Sequence, residues 1–472
     1  MQYISTRGEA PENAPKASFT DVLLAALARD GGLYVPETWP CLSAATIASF
    51  RGRPYAEVAF EVIRPFVGGS IPDADLARMI REAYAAFDVA AVAPLRALGK
   101  DDYLLELFHG PTLAFKDVAM QLLARLMDYA LNARDERVTI VGATSGDTGG
   151  AAVEAFRGRD RADLVMLFPN GRVSDVQRLM MTTPAEKNIH AVAIDGTFDD
   201  CQAIVKGLFN DHAFRDRMKL SGVNSINWAR IVAQIVYYFT AAVALGAPEK
   251  KISFVVPTGN FGDIFAGYVA KRMGLPMDRL VIATNVNDIL ARTLESGRYE
   301  VRGVVATESP AMDIQVSSNF ERLLFDVHGR DAGAIRNIMS ELSASRGFAL
   351  AAQPLARIRA VFDAGRAGEA ETLATIRAVH DESGYLLDPH SAVGVSVARK
   401  LGVRTPRVTL GTAHPAKFPD AVEKAASVRP ALPPRLSDLP SRKERFDVLP
   451  NDLAAVARYV SGRTRVREGV SA

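Results

Sequence analysis

VTIVGATSGDTGGAAVEAF (residues 138–156) holds a strand, a loop and a helix in one short stretch. Arg137–Ala143 is a β-prone run, the Ser/Thr/Gly-rich residues 144–150 break it, and Ala151–Phe156 reads as a helix. ISFVVPTGNFGD (252–263) repeats the layout, and further β-prone runs fall at Asp163–Pro169, Ile189–Ile194 and Val281–Thr284. Strands alternating with small-residue helices predict an α/β fold, a mostly parallel sheet covered on both faces. Residues 1–95 differ: Phe19–Arg29 and Asp73–Phe87 recur at helical spacing behind Thr, Ser or Asp start signals, which predicts a mainly helical N-terminal unit. A pause rich in Asp, Asn and charge at 210–227 divides two α/β lobes, 96–215 and 216–430. A turn-rich segment then opens a C-terminal tail, 431–472.

The chain has 472 residues, enough for two or three packed units, and its 48% hydrophobic and 23% charged content is that of a globular protein. Fifty-six basic side chains against 54 acidic ones leave a net charge of +2, so no global field favours nucleic acid or an anionic membrane. Cys41 and Cys201 are the only cysteines, and seven histidines (109, 190, 212, 328, 380, 390 and 414) show no HExxH or paired Cys/His spacing, so no metal site is expected. The first twenty residues lack an apolar core, and Ile231–Ala247 is too short and too polar at Gln234 and Thr240 for a membrane span. Tyr237, Tyr238 and Phe239 within it read as core. A cytoplasmic protein, monomeric or a small homo-oligomer, with a small-molecule partner is the expectation. Arg442, Lys443, Arg445, Arg463, Arg465 and Arg467 are offset by Asp447, Asp452 and Glu468, the pattern of a solvated tail.

Ligands of open α/β sheets collect at the carboxyl ends of the strands. Both glycine loops present free N–H groups at a helix mouth, which binds anions. Neither has the Lys of a nucleotide P-loop or the GxGxxG spacing, so ATP and NAD are disfavoured. VTLGTAHP (408–415) ends a third strand with the hydroxyl of Thr412. HGPTLAFKD (109–117) adds Lys116 behind Leu113, Ala114 and Phe115, an amine that apolar surroundings turn into a nucleophile for a carbonyl. An imine-forming lysine and a phosphate anchor are what pyridoxal 5′-phosphate requires.

These strings, with YISTR (3–7), DGGLYVP (30–36), NSINWARI (224–231), SSNFER (317–322), DPHSAVG (388–394) and GTAHPAKFP (411–419), resemble threonine synthases of the tryptophan-synthase-β-like, fold type II pyridoxal-phosphate enzymes. The resemblance implies two α/β lobes whose cleft holds the cofactor, and Lys116 as the Schiff-base lysine. It assigns Gly259, Asn260, Phe261, Gly262 and Asp263 to the cofactor phosphate and Thr412 to the pyridine nitrogen. Ser145, Gly146, Asp147, Thr148 and Gly149 fall to the substrate carboxylate, with the side chains of Asp147 and Asp263 turned away and Asp263 capping the following helix. The implied reaction converts O-phospho-L-homoserine and water into L-threonine and phosphate; the alternative is a phospho-lyase releasing 2-oxobutyrate, ammonia and phosphate. Arg230 is the first candidate for the leaving phosphate, with Lys417 and Arg322 in reserve. His109 and His414 are expected to shape the pocket.

Overall fold

A computed structural model describes residues 1–9, 16–404 and 406–466. All five β-prone runs are strands. Val138–Ala143, Ala162–Pro169 and Ile189–Asp195 lie parallel in a five-stranded sheet, with Leu220–Ser221 on one edge and Asp447–Pro450 on the other. Every residue of Ala162–Pro169 is buried, as a strand with both faces covered requires. The second sheet has six strands in the order Phe362–Arg366, Met277–Thr284, Ile252–Pro257, Arg407–Gly411, Asp102–Glu106 and Leu95–Gly99. Only its last pair is antiparallel. Two mostly parallel α/β lobes are therefore observed, as the fold type II resemblance implies. The chain does not divide at 215 and 430, however: Leu95–Glu106 belongs to the six-stranded sheet, and 447–450 returns to the five-stranded one.

The N-terminal unit is helical as expected, with helices Phe19–Ala25, Ala44–Ser49, Tyr55–Val67 and Asp73–Tyr84. Ser18 and Asp21 close a capping box at the first of these. Tyr3–Ser5 and Tyr34–Pro36 also form a small antiparallel ribbon that three-residue strands do not announce in sequence. The Tyr3 hydroxyl donates to Phe66 O (2.7 Å) and accepts from Trp228 Nε1 (3.1 Å), fastening this unit to the helix Trp228–Ala244. That helix covers the apolar run read as buried as far as Ala244, and no helix among the described residues is long and apolar enough to cross a membrane. Helix Gly262–Arg272 presses against it where Gly267 would place a Cβ 2.8 Å from the Tyr238 ring.

The C-terminal segment is not a solvated tail. Asp447–Pro450 supplies an edge strand, and Val456 and Val460 of helix Leu453–Arg463 pack with Ile204 and Leu208. Arg435 pairs with Asp88 and donates to Gly110 O (2.6 Å) and Pro111 O (2.8 Å), so the segment also braces the loop before Lys116. Arg442, Arg463 and Arg465 are ion-paired; Arg467 and Glu468 lie outside the described residues. Val456→Asp should therefore cost about 3 kcal/mol or more in urea denaturation, by burying an unpaired carboxylate. A detached tail would give no measurable change.

Candidate active site

Lys116 opens the buried helix Lys116–Arg134, and the turn before it is fixed twice over. Asp117 accepts from the Thr112 N–H and hydroxyl at 2.7 Å each, an arrangement that admits only a glycine at 110, where a Cβ would lie 2.4 Å from Asp117 Cβ. Phe115 N donates to Thr412 O (2.9 Å) and His414 N to Leu113 O (3.0 Å), pairing the lysine's turn with the end of strand Arg407–Gly411. Lys116 and Thr412 thus face one space.

The two glycine loops close that space from opposite lobes. Phe261 takes a left-handed backbone (φ 62°), and the N–H groups from Gly259 to Asp263 have no internal acceptor among the described residues. Gly259 is required by packing, since a Cβ there would meet Ala311 O at 2.7 Å. In the other loop, Thr144 Oγ1 accepts from the N–H groups of both Gly146 and Gly149 (2.9 Å each). Those two glycines are therefore turn and packing residues: added Cβ atoms would lie 2.3 Å from Gln177 Cδ and from Met181 Sδ, respectively. The N–H groups of Ser145, Asp147 and Thr148 are left without acceptors among the described residues, at a helix mouth suited to a carboxylate.

The carboxylates depart from expectation. Asp147 does not turn away: its Oδ2 is 3.2 Å from Lys116 Nζ, and its Oδ1 takes Lys417 Nζ at 2.7 Å and Gln177 Nε2 at 2.9 Å. Burial would raise its pKa, but the two ammonium groups outweigh that and hold the carboxylate well below its ordinary value. Burial lowers the Lys116 pKa, with Lys417 and Arg230 adding to the effect and Asp147 opposing it. Asp263 does turn away, but caps no helix; Tyr237 and Tyr238, fully buried core residues as expected, also donate to it. Burial, against those hydrogen bonds, lifts the Asp263 carboxyl to about 6.

A cavity of about 750 Å³ joins these parts. It is lined by Lys116, Ser145, Asp147, Thr148, Arg230, Gly259 to Asp263 and Thr412, but not by Gly146 or Gly149. Arg230 stands in the first turn of helix Trp228–Ala244; burial lowers its pKa to about 10, leaving it charged at neutral pH. It donates to Val223 O (3.2 Å), and its Nε has no partner among the described residues. The reserve cations are committed elsewhere. Lys417 is fully buried behind Asp147, and Arg322 is clamped by Tyr34 O, Ile226 O and Asn319 over the Trp228 ring. Neither lines the cavity, and neither do His109, held by Glu106, or His414. Lys206, Arg302 and Arg346 do line it, although nothing in their local sequence singled them out, as does His390 of the DPHSAVG string. Arg230, Gln234 and Tyr237–Tyr238 are spaced to share one helix face, a polar stripe in an apolar run that marked the side facing the site.

Three family models cover the chain: "Threonine synthase N terminus" over residues 2–84, "Pyridoxal-phosphate dependent enzyme" over 89–408 and "Threonine synthase, C-terminal" over 391–460. The threonine synthase of Pseudomonas aeruginosa is 54% identical over 464 residues, 98% of each chain. The chain belongs to the threonine synthase family. Two solved members superpose on nearly all of it. A pyridoxal-phosphate-bound threonine synthase from Brucella melitensis has a TM-score of 0.95 and 62% identity, covering 98% of this chain and 100% of its own. The yeast threonine synthase has 0.92 and 39%, covering 98% of both. Membership makes this a pyridoxal-phosphate-dependent lyase of threonine biosynthesis. The cavity fits that cofactor on its own evidence. It offers a primary amine at Lys116, a row of unpaired N–H groups over 259–263 at a helix start, and in Thr412 Oγ1 a buried hydroxyl with no partner among the described residues.

The Asp263 carboxyl predicts a pH effect. Its ordinary value is 3.8 and its native value about 6, so the native chain holds a proton the unfolded chain has lost, and stability falls as pH rises through 6. Asp263→Asn removes that loss. In urea denaturation of the apoenzyme, the variant should gain on the wild type by roughly 2–3 kcal/mol between about pH 4 and pH 7.

Proposed function

We propose that this chain converts O-phospho-L-homoserine and water into L-threonine and inorganic phosphate in the cytoplasm, with Lys116 as both the attachment point of the cofactor and the proton carrier. The observation that carries the reading is the meeting, in one cavity, of a buried amine, two separate N–H cradles and a buried guanidinium with an unfilled donor. Two cradles and a cation suit a phosphorylated cofactor plus an amino acid with its own phosphate. Bound pyridoxal phosphate supplies an electron sink that acidifies carbons next to the substrate's amino group.

The chain's own residues do the rest. The N–H groups over Gly259–Asp263 would hold the cofactor phosphate, with the Asp263 carboxylate kept off that anion by Tyr237 and Tyr238. Thr412 Oγ1 would face the ring nitrogen; an alcohol cannot protonate it as a carboxylic acid does. The N–H groups of Ser145, Asp147 and Thr148 would orient the substrate carboxylate, fixing which face meets Lys116 Nζ. Lys116 Nζ would take and return the protons at the substrate carbons, a task that fits an amine whose pKa burial has lowered. Arg230 would receive the γ-phosphate as it leaves, through charge-assisted hydrogen bonds.

The phospho-lyase alternative is not favoured, because relatives 41–54% identical over nearly the whole chain are threonine synthases, whereas the proteins named threonine synthase-like 2 are only 35–36% identical. Borohydride reduction followed by peptide mapping should place pyridoxyl on Lys116. Threonine and phosphate should form in equal amounts without stoichiometric ammonia, and the product assay excludes the proposal if ammonia matches phosphate. Arg230→Ala should raise KM for O-phospho-L-homoserine about 10- to 100-fold, the loss of one charged hydrogen-bonding partner.

A further inference from the structure

Lys417 has no role in the mechanism above, yet it is a fully buried ammonium beside the reactive centre. It sits in the 3₁₀ turn Pro415–Lys417, just past Thr412, and does not reach the cavity, because Asp147 stands between. Its Nζ donates to Thr112 O at 2.8 Å and lies 2.7 Å from Asp147 Oδ1. Lys116 Nζ reaches the other oxygen of the same carboxylate at 3.2 Å, and Phe115 carries its ring 4.8 Å from that nitrogen. Gln177 Nε2 also bonds Oδ1 and fixes the carboxylate plane.

One carboxylate therefore serves two ammonium groups. The other charged groups around Lys116 do not restore the balance. Arg230 adds positive charge, the Asp263 carboxyl is engaged by Tyr237 and Tyr238, and His390 on the far side is paired with Asp388. Two buried cations cannot both be neutralised by one anion, so the less well held one is the cheaper to discharge. Lys417 has the shorter ion pair and a backbone carbonyl besides; Lys116 has the longer ion pair and only the face of the Phe115 ring. Without Lys417, Asp147 and Lys116 would form a simple one-to-one pair that keeps the ammonium protonated and unreactive.

We infer that Lys417 is a positioning residue for Lys116: by occupying one oxygen of Asp147 it keeps that carboxylate from locking the reactive lysine as an ammonium ion. The inference rests on the reading of Lys116 as the attachment lysine. In the step concerned, Lys116 gives its proton to solvent, and the neutral amine adds to the cofactor's aldehyde carbon. The carbon–oxygen bond breaks, the oxygen leaves as water, and a carbon–nitrogen double bond remains.

The test is the pH dependence of cofactor uptake by the full-length apoenzyme, followed by the growth of the visible Schiff-base band after pyridoxal phosphate is added. Lys417→Gln, which retains a donor towards Asp147 but no charge, and Lys417→Met should move the midpoint of the rate–pH curve up by about one unit. The rate near pH 7 should then be about tenfold lower. Lys417→Arg, which keeps the charge, should hold the wild-type midpoint. Asp147→Asn, nearly isosteric, should move the midpoint down, and Asp147→Asn/Lys417→Gln should return it towards wild type. A residue that only braced the turn would lower the amount of cofactor bound without moving the midpoint. An unmoved midpoint in Lys417→Gln, with the cofactor still mapped to Lys116, overturns the inference. Cofactor attached to another lysine in the wild type overturns the underlying reading of Lys116 instead.

Discussion

The backbone pairing of Leu113–Phe115 with Thr412–His414 is the constraint on which the rest of the site depends. It joins two segments nearly three hundred residues apart at the carboxyl end of the six-stranded sheet. One carries the reactive lysine, the other the hydroxyl and the second ammonium. Hydrogen bonds between main chains fix position without depending on side-chain rotamers, so the amine, Thr412 and Lys417 inherit their mutual geometry from the sheet. Asp117, Gly110 and Arg435 reinforce the same turn from the helix side, the inside of the loop and the C-terminal segment.

Around that frame, buried charge is handled in two ways. Asp147 is shared between lysines, and Arg230 is left with an unused donor at the cavity wall. Neither arrangement favours stability, because desolvated charges cost more than partial pairing returns. Both make sense where an anionic ligand completes the set. Asp263 is the opposite case: two tyrosines hold it behind the glycine loop, away from any phosphate placed at the N–H row.

Much of this was legible in the sequence, because the features concerned are local. β-branched runs ending in glycine loops mark parallel strands whatever their partners are, and HGPTLAFKD places an amine after an apolar turn. What the residues alone did not show depends on distant partners. Nothing near Leu95–Glu106 reveals that these strands join a sheet formed mostly after residue 250, and three-residue strands such as Tyr3–Ser5 are too short to have a period. The direction of the Asp147 carboxylate is set by Lys417, so a rule that acids avoid an anion site misled. The resemblance assigned Gly146 and Gly149 to the substrate carboxylate, whereas Thr144 already accepts from both. Lys206, Arg302 and Arg346 are ordinary surface cations in sequence until the fold brings them to the same cavity.

Asp447–Pro450 and the helix after it complete a sheet whose other strands end by residue 221. During synthesis, that lobe must wait with the apolar flank of Ile189–Asp195 uncovered while the whole of the second lobe emerges from the ribosome. Its edge closes only when residues 447–463 leave the exit tunnel, a long interval in which a nascent chain offers an open strand to its neighbours or to a chaperone.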